Sequence, residues 1–478
     1  MKLIDDYELV VGLEVHVELK TETKIFCACS TRFGARPNTQ CCPVCMGLPG
    51  AMPTLNEKTV EYAVRAGLAL DCRINRVSHF DRKNYFYPDL PKGYQISQYD
   101  EPLCEQGGLE IAAESGEKRI RITRIHMEED AGKLIHEGND TLIDCNRCGV
   151  PLIEIVTEPD IRSPEEAVAF LKKLRSILVY AGVSDCRMNE GSMRCDVNLS
   201  VRKLGESTLG TRTEIKNLNS FAFTAKAIES EYARQTEVLE NGGIIEQETM
   251  RFDTQTGKTS AMRSKENAND YRFFPEPDIP PLVIDDGYIE LIRRALPELP
   301  NEKKKRYQKD FGLHNDIASV LVSDRALAEY FEAAAKLTEH KKILSNLIAT
   351  ELLRLVDAQR NDTFTSPISS ENMAKLASLV GDETINSSTA KKLLSEMFDK
   401  DIDPCDAVRE RGLAQINDRE ALLPLVCQAL TENPRAKKDY AAGKKFAAKA
   451  IVGRVMALTS GRANPSLLSN IVEEEIKK

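Results

Sequence analysis

The distribution of strand and helix patterns along the chain is the feature that most limits its fold. Alternation of apolar and polar residues, typical of strands, recurs up to about residue 290, with single helical segments between pairs of strands. Beyond that point only helical periodicity remains. A chain of 478 residues is long enough for two to four domains. We therefore predict an α+β N-terminal domain with a mainly antiparallel sheet, followed by an all-helical part.

The first strand, over residues 11–19, carries a regular polar face. Its odd-numbered residues are all Val or Leu, whereas Glu14, His16 and Glu18 point the other way. Carboxylate and imidazole groups at every second residue can bring metal or proton ligands to one surface. The alternative is an ordinary solvated sheet face, and for this strand alone that interpretation is preferred.

Two cysteine pairs follow this strand. They are arranged as C-x-C and C-x-x-C with twelve residues between them, in a segment rich in turn residues. This spacing is typical of tetrahedral zinc, and four thiolates leave no open position, so we predict a structural zinc knuckle. The alternative is a set of ordinary buried thiols, with Cys41 as a fifth candidate. The predicted zinc ligands are Cys27, Cys29, Cys42 and Cys45.

Residues 81–95 combine cations with aromatic rings. Two prolines and a glycine disfavour regular structure there, so we predict a loop. Arg82, Lys83 and Lys92, beside three tyrosines, are suited to holding phosphate and stacking on a base or a sugar. The alternative is a plain surface loop.

Three consecutive acids, Glu128, Glu129 and Asp130, follow a predicted strand over residues 118–126. Like charges this close are unfavourable unless a cation binds, so the two interpretations are a cation site and an acidic turn. In a regular strand Glu128 and Glu129 face opposite ways, and both can join one site only where the backbone bulges or turns.

A second segment rich in groups that bind phosphate contains Arg263, Lys265 and Arg272. Just before it, residues 256–259 (TGKT) resemble the end of a phosphate-binding P-loop. The position of the first glycine of that motif is occupied by Phe252, so we predict a hairpin turn there.

The tail after Asn433 is basic, although the chain as a whole has a net charge of −9. The overall charge argues against uniform coating of a polyanion, but RNA binding needs only one local basic surface. A contact with a phosphate backbone is therefore preferred to a merely solvated helix face. The candidate cations are Lys437, Lys438, Lys444, Lys445, Lys449 and Arg454.

Composition also bears on the compartment. The N-terminus has no apolar signal core, and no apolar run approaches the ~18–20 residues that cross a membrane. Thirteen cysteines, an odd number, fit a reducing compartment in which thiols stay free or bind metal. We expect a cytoplasmic protein without membrane contact.

Taken in order, these motifs closely resemble the B subunit of aspartyl/glutamyl-tRNA amidotransferase over essentially the full chain. The segments that carry the resemblance are residues 12–16 (GLEVH), 84–98 (NYFYPDLPKGYQISQ), 128–133 (EEDAGK), 271–278 (YRFFPEPD), 439–444 (DYAAGK) and 461–465 (GRANP). The resemblance implies one subunit of a three-subunit enzyme that makes Asn-tRNA and Gln-tRNA from misacylated Asp-tRNA(Asn) and Glu-tRNA(Gln).

The resemblance also implies partners and cofactors. A glutaminase A subunit supplies ammonia through a tunnel, and a small C subunit wraps the two others. The B subunit uses ATP and a divalent metal to activate the aminoacyl carboxylate, and DNA is not an expected partner. The implied domains are a cradle-like catalytic domain over residues 1–294, a helical domain over 295–405 and a tRNA-binding tail over 406–478.

The resemblance also implies roles for individual residues as metal ligands, tunnel-exit residues and ATP-binding residues. Imidazole is an unusual ligand for Mg²⁺, so Mn²⁺ is an alternative metal. The cysteine knuckle is present in only some members, which supports a structural role, and Cys145 and Cys148 replace residues common in the family, so we expect no ligand role for them. The implied magnesium ligands are Glu14, His16, Glu128 and Glu129, the implied tunnel-exit residues are Lys83 and Lys92, and the ATP-binding candidates are Arg82, Lys83, Arg263, Lys265 and Arg272.

Two other functions compete with this interpretation. One is a non-catalytic tRNA-binding scaffold that keeps the zinc knuckle and the basic tail. The other is a self-sufficient glutamine-hydrolysing enzyme, but the sequence contains no recognisable nucleophile constellation for that reaction.

Overall fold

The computed structural model describes residues 6–114, 116–263, 271–357, 364–442 and 444–477. The chain forms two compact units, the first ending at Leu299 and the second beginning at Pro300. Among the described residues every strand belongs to the first unit, and the last strand ends at Val283. The predicted α+β class and the loss of strands near residue 290 are therefore confirmed. The finer division into three domains stays a prediction.

The strands range from two residues to fourteen. In chain order they are β1 (Tyr7–Glu18), β2 (Arg73–Ile74), β3 (Val77–Ser78), β4 (Asp81–Asn84), β5 (Tyr94–Ser97), β6 (Cys104–Ala113), β7 (Gly116–Glu129), β8 (Lys133–Glu137), β9 (Asp140–Asp144), β10 (Pro151–Thr157), β11 (Met193–Lys203), β12 (Thr213–Leu218), β13 (Thr249–Asp253), β14 (Lys258–Arg263), β15 (Phe274–Pro275) and β16 (Leu282–Val283).

In the described part of the chain, four helices belong to the first unit and the others to the second. They are α1 (Glu57–Ala69), α2 (Pro164–Ala181), α3 (Phe221–Glu240), α4 (Asp286–Ala295), α5 (Pro300–Phe311), α6 (Asn315–Leu321), α7 (Arg325–Ala335), α8 (Lys341–Asn346), α9 (Leu353–Asp357), α10 (Ser370–Gly381), α11 (Ser387–Lys400), α12 (Pro404–Glu410), α13 (Arg419–Glu432), α14 (Pro434–Ala441), α15 (Ala448–Leu458) and α16 (Pro465–Glu475). A π-helical turn, Leu347–Leu352, joins α8 to α9, and a 3₁₀ turn, Lys445–Ala447, precedes α15.

The main sheet has the strand order β14-β13-β12-β11-β1-β10-β7-β6-β2, which places β1 in its middle. Neighbouring strands pair antiparallel except for β12 and β13. The hairpin between β13 and β14 contains Gly257, so the predicted hairpin at TGKT is confirmed. The mainly antiparallel sheet predicted from the strand pattern is present.

One face of β1 belongs to the hydrophobic core. Its alternating apolar side chains, from Leu9 to Val17, are fully buried in a cluster that also includes residues of α1, α2 and α3. Burying each such side chain contributes about 1.5–3 kcal/mol. Because successive strand residues point to opposite faces, Glu14, His16 and Glu18 lie on the other side of the sheet. The predicted division of this strand into two faces is confirmed.

The prediction of a loop over residues 81–95 is wrong at both ends. Residues of β4 and β5 pair antiparallel, with Lys83 opposite Gln95, and β15 pairs with the other edge of β4. The prolines and the glycine lie in the connection between the two strands, where they restrict only the turn. The pairing with β15 comes from far along the chain, so local composition did not reveal it.

The second unit contains two separate hydrophobic clusters. One extends from Tyr307 to Val408, and the other from Leu422 to Ile476. Several of its helices begin at a capping side chain, for example Asp324, whose carboxylate accepts a hydrogen bond from the backbone N–H of Leu327. Among the described residues no helix has the length and apolar character needed to cross a membrane.

Candidate active site

Five neighbouring strands, β12, β11, β1, β10 and β7, carry a row of polar side chains across the sheet. On β1, His16 is directly opposite Glu154 of β10, and Glu14 is directly opposite Asp196 of β11. Glu154 is in turn opposite His126 of β7. Directly opposite residues share a face and have Cβ atoms about 4.5–5.5 Å apart. The pairing of these strands therefore brings ionisable side chains from distant parts of the chain together on one face of the sheet.

His16, Glu128 and Glu154 form what we call the histidine–carboxylate cluster. Nε2 of His16 lies 3.4 Å from Oε1 of Glu128 and 3.4 Å from Oε2 of Glu154. One ligand atom from each residue lies within 4.8 Å of the other two, which is close enough to hold one metal ion. His126 supports the cluster, since its Nε2 lies 3.3 Å from Oε2 of Glu154.

The electrostatics of this cluster are dominated by the pairing of buried acids with imidazoles. Burial opposes protonation of His16, but the carboxylates of Glu154 and Glu128 outweigh it and raise its pKa to about 9. Burial also opposes ionisation of Glu154, yet His126 and His16 hold the pKa of this carboxyl well below its usual range. The cluster thus favours charged carboxylates and a bound cation, whether a proton or a metal ion.

Glu14, Asp196 and Glu214 form a second group, the acidic cluster, on the same face. One carboxylate oxygen from each lies within 4.8 Å of the other two. Asn198 donates a hydrogen bond of 2.8 Å to Oε1 of Glu14, and Nζ of Lys216 lies 2.7 Å from Oε1 of Glu214. Burial, followed by the charge of Glu154, raises the pKa of Glu14. Glu14 and His16, predicted to face one metal, therefore belong to two neighbouring clusters.

Glu129 does not join either cluster. The pairing of β7 with β10 continues regularly through Glu128 and Glu129, so the two side chains face opposite sides of the strand. Oε1 of Glu129 is ion-paired with Lys92 and accepts a hydrogen bond of 2.9 Å from the backbone N–H of Ile96. Lys92 and Glu129 line a cavity of about 220 Å³ that is also lined by Cys27 and Cys45. The backbone bulge needed to bring both acids into one site is absent from the described pairing.

Arg82 and Lys83 are adjacent on β4 but have different surroundings. The guanidinium of Arg82 donates two hydrogen bonds, of 2.6 and 2.8 Å, to the buried carboxylate of Glu276. Lys83 lies over the ring of Tyr271, with Nζ 4.9 Å from the ring centre, and its charge also favours the ionised form of Glu128. Of the two cations, Arg82 is thus held by a carboxylate, whereas Lys83 forms no carboxylate ion pair among the described residues.

The remaining predicted ATP contacts are Arg263, Lys265 and Arg272. Lys265 lies outside the described residues, and Arg263 is the last residue of β14. The guanidinium carbon of Arg272 lies 5.7 Å from the centre of the Phe86 ring. The next residue, Phe273, is half-buried and stacks on the exposed ring of Tyr99, with 4.2 Å between the ring centres. These rings form an aromatic surface beside Lys83.

The four predicted zinc ligands come together. Each contributes a sulfur within 4.8 Å of the others, and the sulfurs of Cys42 and Cys45 are 3.9 Å apart. Tetrahedral zinc with bonds of about 2.3 Å places its sulfurs roughly 3.8 Å apart, so the residues fit that metal. A hydrogen bond from the Cys27 thiol lowers the pKa of Cys45 to about 4, which favours a thiolate. Cys145 and Cys148 lie outside this group, and Cys41 also stays out of it.

The six predicted tail cations are all exposed. Two of them are engaged in ion pairs, Lys444 with Asp439 at 3.2 Å and Arg454 with Glu432 at 2.6 Å. The structure therefore leaves the other four more available for a phosphate backbone. These are Lys437, Lys438, Lys445 and Lys449.

Sequence reasoning missed four residues of the site: Glu154, Asp196, Glu214 and His126. A local signal existed for two of them. Glu154 interrupts an otherwise apolar strand, and Asp196 lies on the polar face of an alternating strand. Their pairing with His16 and Glu14 depends on strand order, which the sequence does not state.

Comparison with known proteins supports a single family over most of the chain. The family model described as the GatB/GatE catalytic domain matches residues 9–290, which contain both clusters and the cysteine knuckle. A second model, described as a GatB domain, matches residues 329–476 in the helical unit.

Full-length relatives give the same result. The chain is 53% identical over 478 residues to the B subunit of the aspartyl/glutamyl-tRNA(Asn/Gln) amidotransferase of Caldicellulosiruptor saccharolyticus, with 99% of this chain and 100% of the relative covered. The proteins of the same name from Carboxydothermus hydrogenoformans and Thermodesulfovibrio yellowstonii are 52% and 49% identical, each with 99% of this chain covered and with 99% and 100% of the relative covered, respectively. The chain therefore belongs to the family of aspartyl/glutamyl-tRNA(Asn/Gln) amidotransferase B subunits.

Proposed function

We propose that this chain activates the side-chain carboxylate of Asp-tRNA(Asn) and Glu-tRNA(Gln) with ATP and then amidates it. The observation that carries the proposal is the histidine–carboxylate cluster, in which His16, Glu128 and Glu154 bring their ligand atoms within 4.8 Å of one another. A carboxylate is a poor electrophile, whereas an acyl phosphate can be displaced by ammonia with phosphate as the leaving group. The reaction therefore needs phosphoryl transfer from ATP before the carbon–nitrogen bond forms.

His16, Glu128 and Glu154 are the residues that would hold a divalent metal. Mg²⁺ or Mn²⁺ in such a site supplies positive charge to the phosphate oxygens of ATP. The imidazole in the donor set suits Mn²⁺ as well as Mg²⁺. The acidic cluster of Glu14, Asp196 and Glu214 is a candidate for a second cation on the same face.

The other groups of the chain have complementary roles in this proposal. The ammonium of Lys83 offsets negative charge on the transferring phosphoryl group. The aromatic surface around Tyr99 and Phe273 shields the acyl phosphate from water. The Lys92–Glu129 pair lines a separate cavity, and we assign to this cavity the entry of ammonia that the family resemblance implies for Lys92.

The proposed partners are those that membership of the family implies. Ammonia comes from glutamine hydrolysed by an A subunit, and a small C subunit completes a heterotrimer. The basic tail contacts the phosphate backbone of the tRNA. Cys27, Cys29, Cys42 and Cys45 hold a structural zinc, and the protein works in the cytoplasm. Metal analysis of the purified full chain tests the zinc assignment, and a chain without stoichiometric zinc would contradict it.

The activity is tested with the assembled complex, ammonium as nitrogen donor, ATP and each misacylated tRNA. We expect Glu128→Gln to lower amidation at least about 100-fold while tRNA binding is retained. Glu22→Gln is a matched control, because Glu22 is exposed and lies outside the strands that carry the cluster. Amidation by Glu128→Gln at the rate of the control would contradict the proposal and favour a non-catalytic scaffold.

A further inference from the structure

Lys24 is a fully buried lysine beside the cysteine knuckle. Its ammonium donates hydrogen bonds of 2.8 Å to the carbonyl oxygen of Gln40 and 3.2 Å to that of Cys145. Both acceptors are neutral. In the described part of the chain no carboxylate lies within ion-pair distance of this ammonium. A buried charge without a counter-charge is strongly unfavourable, so the surroundings of Lys24 require explanation.

The ionisable groups around Lys24 are mainly thiols. Lys24 lines the same cavity as Cys27 and Cys45. Its Cδ and the Cβ of Cys45 each lie 3.7 Å from the position that a Cβ on Gly149 would occupy. Glu129 lines the same cavity, but its carboxylate is already held by Lys92 and by the backbone N–H of Ile96. Cys27 and Cys45 are therefore the acidic groups of this cavity lining that are not already ion-paired among the described residues.

We propose that Lys24 is the buried counter-cation of the metal–thiolate cluster formed by Cys27, Cys29, Cys42 and Cys45. This inference rests on the zinc site proposed above. Four thiolates carry more negative charge than one zinc ion neutralises, so the loaded cluster is a net anion. A nearby ammonium offsets that excess, and the cluster offsets the cost of burying the ammonium. Groups that surround metal ligands tune metal affinity in this way.

The position of Lys24 also links the knuckle to the wall of the cavity. Its backbone N–H donates to the carbonyl oxygen of Cys29, and the next N–H, that of Ile25, donates to the carbonyl oxygen of Gly149. The side chain bonds to Cys145 on the same returning segment. Lys24 thus contacts both the knuckle and the wall of the cavity that holds Lys92 and Glu129.

The test uses the full chain with Lys24→Met, which keeps the length of the side chain and removes its charge. Lys20→Met is the matched control, because Lys20 is an exposed lysine near the same segment. Zinc affinity is measured by competition with a chelator, and thermal unfolding is followed with and without zinc. We expect Lys24→Met to weaken zinc binding about 10–100-fold and the control to leave it unchanged.

Thermal unfolding distinguishes two roles for Lys24, as the charge partner of the zinc-loaded cluster or as a lysine that only stabilises the fold. With zinc bound, Lys24→Met should lower the melting temperature. Without zinc it should not lower it, because the wild-type ammonium is then buried without its anion. Unchanged zinc affinity, or a zinc-free variant that is less stable than the zinc-free wild type or does not fold, would overturn the inference. A wild-type chain that binds no zinc would instead overturn the zinc site itself.

Discussion

His16 and Glu154 are directly opposite each other on β1 and β10, and Nε2 of His16 lies 3.4 Å from Oε2 of Glu154. Both residues belong to the histidine–carboxylate cluster, so the pairing of β1 with β10 brings two of its three members together. It identifies Glu154, rather than Glu14 or Glu129, as the third member of the group that would hold a metal with His16 and Glu128.

Replacing Glu154 should therefore remove a metal ligand. We expect Glu154→Gln to weaken binding of Mn²⁺ by about 100-fold or more and to lower amidation in parallel, since even supporting residues cost about 10–100-fold. Glu129→Gln should leave Mn²⁺ binding nearly unchanged, because Glu129 lies on the opposite side of β7. Titration of each variant with Mn²⁺ checks this. Equal losses in the two variants would argue against the assignment.

Metal binding at this cluster should strengthen as pH rises. Because the pKa of His16 is about 9, its imidazole is protonated at neutral pH and must release a proton before Nε2 binds a metal. We expect the Mn²⁺ affinity to increase by up to about tenfold per pH unit between about pH 7 and 9 and then to level off. A wild-type affinity that does not change over this range would be inconsistent with a protonated His16.

The same pKa has a consequence for the stability of the metal-free chain. The pKa of His16 is raised from an ordinary value of 6.5 to about 9. Its contribution to stability is therefore fully present below pH 6.5 and is lost as pH rises through 9. His16→Gln should lack this loss when unfolding is followed by circular dichroism. The same pH dependence in the variant and the wild type would assign the loss to another group.

Arg82 and Lys83 should respond to substitution in different ways. Arg82→Met leaves the buried carboxylate of Glu276 without its bidentate partner and should lower the free energy of unfolding by about 3 kcal/mol. Lys83→Met should change it by less than about 1 kcal/mol but abolish amidation. Urea unfolding and the amidation assay separate the two roles. An Arg82→Met variant as stable as Lys83→Met would show that the ion pair is not structural.

The tail cations should differ in their contribution to tRNA binding. Lys445 and Lys449 form no ion pair among the described residues, whereas Arg454 is paired with Glu432. We expect the Lys445→Ala and Lys449→Ala double variant to reduce the slope of log affinity against log salt by about 0.7–0.9 for each phosphate that is no longer neutralised. Arg454→Ala should have a smaller effect. A double variant with the wild-type salt dependence would place the tRNA contact elsewhere.

The parts of the structure that were predictable depend on local periodicity. The two faces of β1 could be assigned because side-chain direction alternates at every residue. The cysteine knuckle could be recognised because its ligands are close in sequence and their spacing is specific. The same alternation places Glu128 and Glu129 on opposite sides of β7, because the pairing of β7 with β10 continues without a bulge at these two residues.

The rest depends on strand order, which local sequence does not encode. Glu154 and Asp196 join the site only because β10 and β11 pair on either side of β1. Glu14 and His16 share a face but meet different cross-strand partners, so they separate into two clusters. Likewise, Arg82 is a phosphate-binding candidate by composition, and only the pairing of β4 with β15 brings it to Glu276.

In the proposed reaction the aminoacyl carboxylate is phosphorylated on this chain before it is amidated. The most direct measurement uses misacylated tRNA whose side-chain carboxylate carries ¹⁸O, with ATP, ammonium and the assembled complex. Because the carboxylate oxygen stays with phosphorus when ammonia displaces phosphate, we expect one ¹⁸O in the released inorganic phosphate for each amide formed. Amide formation with no ¹⁸O in the phosphate would contradict the account.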